Sequence, residues 1–461
     1  MPFKLSRSFP PRALAVAALL APALVLAESP PSLDELTPDW LELSVVQRTR
    51  FEVLDGQFRV GRTDDDSLLL LRTLVHPRFR LGKRATLGIE LQDSRVFFER
   101  EQTPLGTSLV NAVEPLRAYL QLRGKARDGS WTVDAGRITL DVGSRRFVAR
   151  NRYRNTINSF TGVDARWQRE QTLLRAFFLL PHQRRPTELD ALRRNGVRVD
   201  EETSDVRFAG LFASGALSPR DRWEAFLFRL EESDSPRRAT RNRQLTTPGF
   251  RLLRTPLAKS WDYVVEVGVQ TGTSRESRLS DEELDHRAYF VHGEVGHTFD
   301  AAWSPRLALQ FDVASGYEDP NDLSNERFDT LYGARRFDFG PTGIYGPFSR
   351  SNLVSPGLRL QLKPGPDMTG FVAYRIFELE SATDVWGPAS LRDTSGQSGR
   401  SLGSQLEARW RKSLQSDWLP GKLGLEFGAL RRWGGSFQEG VLDADQPVDS
   451  NYGYVQTTWS F

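Results

Sequence analysis

The chain of 461 residues contains no cysteine, so no disulfide framework holds it together. Lysine is scarce, confined to positions 4, 83, 125, 259, 363, 412 and 422, so nearly all positive charge is arginine. Histidine occurs five times. Beyond residue 27 there is no apolar run of the roughly 20 residues that a spanning helix needs. Mean hydropathy is −0.45, too polar for a helical membrane protein. These scarcities exclude a disulfide scaffold and a helix bundle in a bilayer. They leave open a membrane protein that crosses with strands, where only every second residue faces lipid.

The start of the chain supports export. Lys4, Arg7 and Arg12 precede the apolar run Ala13–Ala27, and Val25-Leu26-Ala27 is a small-residue cleavage site before Glu28. That three-part pattern predicts a secretory signal peptide over residues 1–27, removed before folding. Its loss takes three bases and no acid, which leaves 59 of each sign in the mature chain. Any preference for an anionic partner must then come from where charges sit. The last residues read NYGYVQTTWSF. Gly453, Val455, Thr457, Trp459 and Phe461 share one face, and Tyr454, Gln456, Thr458 and Ser460 share the other. One apolar, aromatic-ended face and one polar face are what a strand of an outer-membrane barrel requires. The 28 Phe, 11 Trp and 10 Tyr suit aromatic girdles at the two membrane interfaces.

Alternation recurs along the chain. It is clear in Leu87-Gly88-Ile89-Glu90-Leu91-Gln92, Leu116–Leu122, Trp261–Val267, Arg306–Val313, Leu358–Leu362, Leu406–Trp410 and Leu423–Phe427. Tight turns such as Lys363–Asp367, and short links at Phe299–Pro305 and Lys412–Gly421, alternate with long polar connections near 272–285, 316–350, 380–400 and 433–450. Short turns belong on the periplasmic side and long loops outside. The expected fold is all-β: a transmembrane antiparallel β-barrel of about 18 strands over residues 40–461, after a short periplasmic segment 28–39. Such a barrel encloses an aqueous lumen, and no plug domain precedes the first strand.

Parity assigns lumen residues. Arg48, Arg117, Asp164, Arg166, Arg359 and Arg409 point inward, with Glu90, Tyr119, Gln121, Glu266, Asp312, Gln361 and Glu407. The densest cationic stretch is Gly136–Phe160, in which Arg137, Arg145, Arg146, Arg150, Arg152 and Arg154 accompany the single acid Asp141. It reads as a strand end, an outer loop and the start of the next strand, with arginines at the mouth and in the lumen. Arg137 shares the parity of Val133 and Ala135, the lipid face. Either a bulge at Gly136 turns it inward or it snorkels at the rim; the bulge is favoured.

Several stretches carry a resemblance. Gly136-Arg137, Gly143-Ser144-Arg145-Arg146-Phe147-Val148, Asn151–Thr156 and Phe160–Val163 resemble the alginate export family of outer-membrane barrels. So do Ser315–Pro320 with Phe328-Asp329 and Tyr332-Gly333, the run Leu358–Pro364, and Leu402–Glu407 with Gly434–Phe437. The chain departs from the family pattern at Ile138 and Thr161, where Gln and Asp are usual. The resemblance implies an 18-stranded channel whose lumen arginines guide an anionic polysaccharide outward. By position, Arg137, Arg146, Arg154 and Arg359 would line or approach the constriction, and Arg150 lies in the same run.

The functional expectation is passive export or diffusion of an anionic saccharide or polyuronate through an arginine-lined lumen. Arginine offers planar, bidentate recognition of carboxylates, and a ladder of weak sites lets a polymer bind and leave. The alternative is a substrate-selective uptake porin for small anionic solutes, with the same fold and opposite flux. A third class, an outer-membrane enzyme, would need a nucleophile, base and orienting group on one face. His292 and His297 lie five apart in a strand and point to opposite faces, and no such constellation accompanies them. No cofactor or metal is implied, and Asp64-Asp65-Asp66 reads as a solvated turn without spaced calcium ligands. Expected partners are the anionic saccharide, outer-membrane lipid and lipopolysaccharide, and the barrel-assembly machinery acting through the strand that ends at Phe461. Nucleic acid is not expected, given the export route.

Overall fold

The computed structural model describes residues 37–62, 65–236, 238–319, 322–416, 419–441 and 448–461. The expected signal peptide, most of segment 28–39, and Asp64 lie outside them. Eighteen strands form the wall. The first six are β1 (Leu41–Asp55), β2 (Asp66–Arg80), β3 (Ala85–Phe97), β4 (Asn111–Ala126), β5 (Gly129–Ile138) and β6 (Phe160–Arg169). The next six are β7 (Thr172–Pro181), β8 (Val206–Ala216), β9 (Asp221–Glu232), β10 (Gln244–Arg254), β11 (Ser260–Ser274) and β12 (Leu284–Thr298). The last six are β13 (Arg306–Ala314), β14 (Leu353–Gly365), β15 (Met368–Glu378), β16 (Ser401–Ser416), β17 (Leu419–Trp433) and β18 (Ser450–Ser460). Each pairs antiparallel with the next. β18 returns to β1 in a continuous register from Val46↔Ser460 to Asp55↔Asn451, so the sheet closes and has no free edge. A two-residue segment, Ser324–Asn325, adds a parallel pairing on β12 inside one loop.

The wall is built as the alternation requires, and it inverts the burial of a soluble protein. Leu91, Leu120, Val163, Leu174, Val265, Leu309 and Leu406 are exposed on the outer face, while Arg50 and Glu52 are fully buried inside. With lipid as solvent this is the stable arrangement, because every backbone polar group is spent in the ladder. A belt of tryptophans marks the short-turn end. Trp131, Trp167, Trp223 and Trp410 each lie over a glycine of a neighbouring strand (Gly124, Gly129, Gly215 and Gly370), where a Cβ would come within 2.8 Å of the indole. Bare backbone there gives the ring its seat, and the ring covers the backbone.

The connections alternate in length. Links 81–84, 127–128, 170–171, 217–220, 255–259 and 366–367 are short, and 139–159, 182–205, 315–352 and 379–400 are long. The long ones bear short helices, α1 (Leu189–Arg193), α2 (Arg336–Phe339) and, in 434–449, α3 (Ser436–Val441). Two of them do not stay outside. Connection 139–159 and the later part of 315–352 fold into the barrel, and most of their residues are buried. The expectation of an outer loop after β5 is corrected here: the loop lies in the lumen. The lumen face is also less polar than alternation suggests. Phe208, Phe228 and Phe290 point inward and are buried, because Phe147, Phe328 and Tyr332 of the infolded loops pack against them.

Candidate channel constriction

Connection 139–159 crosses from one wall to the other. Near its start, Phe147 packs on Phe226 and Phe228 of β9 and Phe290 of β12, with ring centroids 4.8–6.2 Å apart. Gly268 of β11 makes room, since a Cβ there would sit 2.7 Å from the Phe147 ring. Arg146 anchors the same point. Its guanidinium donates to Glu266 at 2.6 Å, to both Asp338 oxygens at 2.9 and 3.0 Å, and to His292 Nε2 at 2.9 Å. Because arginine only donates, His292 accepts at Nε2 and offers its Nδ1 proton to Asp312 at 2.8 Å. Asp312 also takes Arg375 at 2.5 Å, and Asp338 takes Arg350. Asp338 belongs to α2, so this buried network ties one infolded loop to the other and both to the wall.

Further on, the loop is stapled to β1–β3. Arg48 donates to the carbonyls of Arg152, Tyr153 and Arg154 at 2.9–3.0 Å and to Asn155 Oδ1 at 2.9 Å. Arg72 donates to the carbonyls of Arg152 and Arg154 at 2.9 and 2.8 Å. Arg50 lies 4.2 Å from the centre of the Tyr153 ring and donates to its carbonyl at 2.9 Å. Asn155 returns hydrogen bonds to the carbonyls of Leu71, Arg95 and Leu109. A buried loop carries carbonyls that no ladder satisfies, and here arginines of the wall satisfy them. The loop therefore divides the lumen into two spaces. A cavity of about 790 Å³ on the short-turn side is lined by His76, Arg78, Arg117, Tyr119, Asp164 and Arg166, among others. A smaller one of about 200 Å³ on the long-loop side is lined by Arg154, Asn158, His182, Arg184 and Tyr332, among others.

The expected site residues fall into distinct environments. Arg48 and Arg146 anchor the loop. Arg150 pairs with Glu90 and donates to Thr139 at 2.7 Å. Arg117 lies 3.6 Å from the same Glu90 and over Tyr119 at 4.3 Å. Arg166 pairs with Asp134, and with Asp164 at 3.2 Å. Arg359 and Arg409 flank the ring of Phe371 at 4.9 and 4.6 Å; Arg359 also donates to the Phe337 carbonyl, and neither has a carboxylate partner among the described residues. Arg154 makes no ion pair and its guanidinium donates no hydrogen bond among the described residues. Its neighbour Arg184 donates only to Asn158 and, at 3.4 Å, to the Ile157 carbonyl.

Arg137 turns inward, where it pairs with Glu114 and lies 3.5 Å from Asp200. The cause is not the expected bulge. Both ladders of β5 run through Gly136 without a shift. Gly136 instead adopts φ +119°, and a Cβ there would lie 2.5 Å from the Ala118 carbonyl oxygen, so only glycine fits. The register shift in this region is on the β3–β4 ladder, where Leu116 is the extra residue.

Among loop groups, burial and the like charges of Arg184 and Arg335 push the Arg154 pKa down to about 9, which leaves it a cation at neutral pH. Burial, then Arg137, pushes His182 down to about 4, so it is neutral there. Sequence reasoning did not find Arg50, Arg72, Arg184, Arg350, Arg375 or Asp338. Arg50 shares strand parity with Arg48, which is assigned inward, and that signal points to it; no residue of β2 is assigned, so Arg72 has no such marker. Asp338 and Arg350 sit in a loop without periodicity, and nothing local marks them as buried.

Comparison with known proteins places this architecture. A family model described as alginate export matches residues 39–441. The chain belongs to the alginate export family. As a member, it is an outer-membrane β-barrel channel, located in the bacterial outer membrane. Solved structures of Pseudomonas aeruginosa porins share the fold. OpdQ matches with a TM-score of 0.56 at 10% identity, over 91% of this chain and 97% of that one. OccK9 (OpdG) matches with 0.58 at 13% identity, over 91% and 98%, and OccK3 (OpdO) with 0.55 at 13%, over 93% and 98%. At such identities they establish the barrel alone. No curated protein matches the chain. This family and fold are those of channels rather than enzymes.

Proposed function

We propose that this member of the alginate export family passes an anionic saccharide chain, a polyuronate of the alginate type, through the neck beside connection 139–159. One observation carries the reading: Arg154, with Arg184 beside it, lines the space next to connection 139–159 without a carboxylate partner among the described residues, while most other lumen arginines are neutralised by acids or spent on loop carbonyls. A neutral mature chain makes that difference decisive. Confined guanidinia attract a carboxylate, and screening over roughly 8 Å at physiological salt restricts the effect to a solute inside the neck. On this reading the short-turn end faces the periplasm and the polymer leaves through the long-loop end.

Uptake of small anionic solutes is the second reading, favoured by the small upper cavity of about 200 Å³. Planar-bilayer recordings with uronate oligomers of graded length separate the two. A threading polymer occupies successive sites, so block should strengthen with chain length. Equal block by mono- and oligouronates selects the small-solute reading, and a cation-selective channel that uronates do not block refutes both.

A further inference from the structure

All six lysines of residues 28–461 lie at the short-turn end. Lys83 and Lys259 are in turns, Lys125, Lys363 and Lys412 close β4, β14 and β16, and Lys422 opens β17. They come from turns all around the circumference. Links 81–84, 217–220 and 255–259 carry Lys83, Arg84, Arg220 and Lys259 and no acid; other short links carry Asp128, Glu170, Asp300 and Asp367, of which Asp300 pairs with Lys259 at 2.6 Å. The opposite rim is different. The long connections hold no lysine, and acids outnumber arginines in 182–205, 275–283 and 434–449. The basic exceptions are 139–159, which is folded inside, and 233–243, where Arg243 is held by Glu232 and Asp329. A molecule with no net charge along its mature chain is thus polarised along the barrel axis.

The register shows where these lysines look. Lys125 shares a face with Tyr119 and Gln121, which line the 790 Å³ cavity. Lys422, paired with Ser460, shares one with Glu426, while Lys363 stands at the register shift between Leu362 and Gly365. Lys412 takes the lipid side with Trp410. Lys125 and Lys422 therefore face the mouth, which a role confined to lipid headgroups does not explain. The cavity behind the mouth continues the cationic lining with Arg78, Arg80, Arg117 and Arg166. Of the acids lining it, Glu42, Asp134 and Asp164 are each held by one or more of these arginines, and Asp39 has no ion pair among the described residues.

We infer that the short-turn mouth is a capture surface for an extended polyanion, a polyuronate segment, which it draws in from that side before the neck arginines engage it. This rests on the reading of the neck as a polyuronate path and adds a polarity to it. The two cations divide the work. Lysine is a hydrated, mobile point charge that attracts without fixing geometry, whereas arginine binds carboxylates in a planar fork. A ring of like charge around a mouth raises the encounter rate of an opposite charge by about 10- to 1,000-fold, and salt abolishes the gain.

The test is one-sided block of single channels in neutral phosphatidylcholine bilayers. Because the chain lacks cysteine, Thr394→Cys in the exposed part of connection 379–400 reports orientation through an impermeant thiol reagent. An oligouronate added at low salt should block on the order of tenfold faster from the short-turn side, and the two rates should converge near molar salt. Replacing Lys83, Lys125, Lys363 and Lys422 together by Gln should lower the short-turn rate to the long-loop value; should that variant not insert, Lys125→Gln with Lys422→Gln should lower it part-way. Equal rates from both sides of the unmodified protein overturn the capture mouth but leave the neck reading standing. No block from either side overturns the neck reading. Asymmetry that appears only in phosphatidylglycerol bilayers assigns the lysines to lipid and also overturns the capture mouth.

Discussion

One residue type does two opposite jobs in this lumen, and its partners decide which. Arg48, Arg72 and Arg146 are as cationic as Arg154, yet their donors are consumed by carbonyls and carboxylates, so they hold a loop and offer a passing solute little. Among the described residues Arg154 keeps its fork free. The distinction makes a pH prediction. Between pH 5 and 8 neither Arg154, pushed down to about 9, nor His182, pushed down to about 4, changes charge. Anion preference read from reversal potentials should be flat across that range. A base loses its proton as pH rises through its pKa, so the preference should fall as pH passes about 9. It should rise below about 4, where His182 gains a charge. A transition centred near 6.5 would mean that a histidine with an ordinary pKa controls the neck. Arg154→Gln should remove the high-pH step and weaken polyuronate block at neutral pH.

At the scale of elements, strands and infolded loops differ in how far they can be read from sequence. A strand announces itself, because Leu87–Gln92 or Leu116–Leu122 alternates wherever one side meets lipid. Connection 139–159 has no period, and what holds it inside comes from residues far along the chain: Arg48 is 104–107 positions from its acceptors, and Arg146 is 192 from Asp338. The arginine run was visible as a site; its fold into the lumen was not, since that depends on the wall. Arg137 shows the same limit, because parity alone placed it outside and one positive φ at Gly136 moved it. The loop's anchoring can be tested at Asp338, the carboxylate shared by Arg146 and Arg350. Asp338→Asn leaves two buried guanidinia short of charge, a loss on the order of 3–5 kcal/mol for such a pair. Arg146 retains Glu266 and the barrel ladders are untouched, so the variant should insert normally but release the loop. Single-channel currents should become larger and noisier. An unchanged current would mean that the Phe147 cluster alone holds the constriction.

The whole molecule depends on closure, because an open barrel would expose the edges of β1 and β18 to lipid, where unpaired backbone groups cost several kcal/mol each. The seam joins segments some 400 positions apart and forms only when the intervening hairpins are in place. It is the point where an error in strand number or register would show. Thr49 and Thr457 are directly paired across it, and directly opposed residues of an antiparallel pair lie about 4.5–5.5 Å apart, within reach of a disulfide. With no native cysteine to compete, Thr49→Cys combined with Thr457→Cys should give one oxidised species in membranes. The crosslink encloses nearly the entire wall in a covalent loop, so the boiled, unreduced protein should migrate as a more compact band in SDS gels, and reduction should restore the ordinary mobility. Either single variant should show no such band. A one-residue slip of β18 would place Thr457 opposite Arg48 or Arg50 and turn its side chain to the other face. Thr49→Cys would then fail to crosslink with Thr457→Cys, and the lumen assignments of β18, Tyr452 and Tyr454 included, would be wrong with it. Efficient crosslinking with conductance retained fixes the register that places Arg48 and Arg50 beneath the constriction.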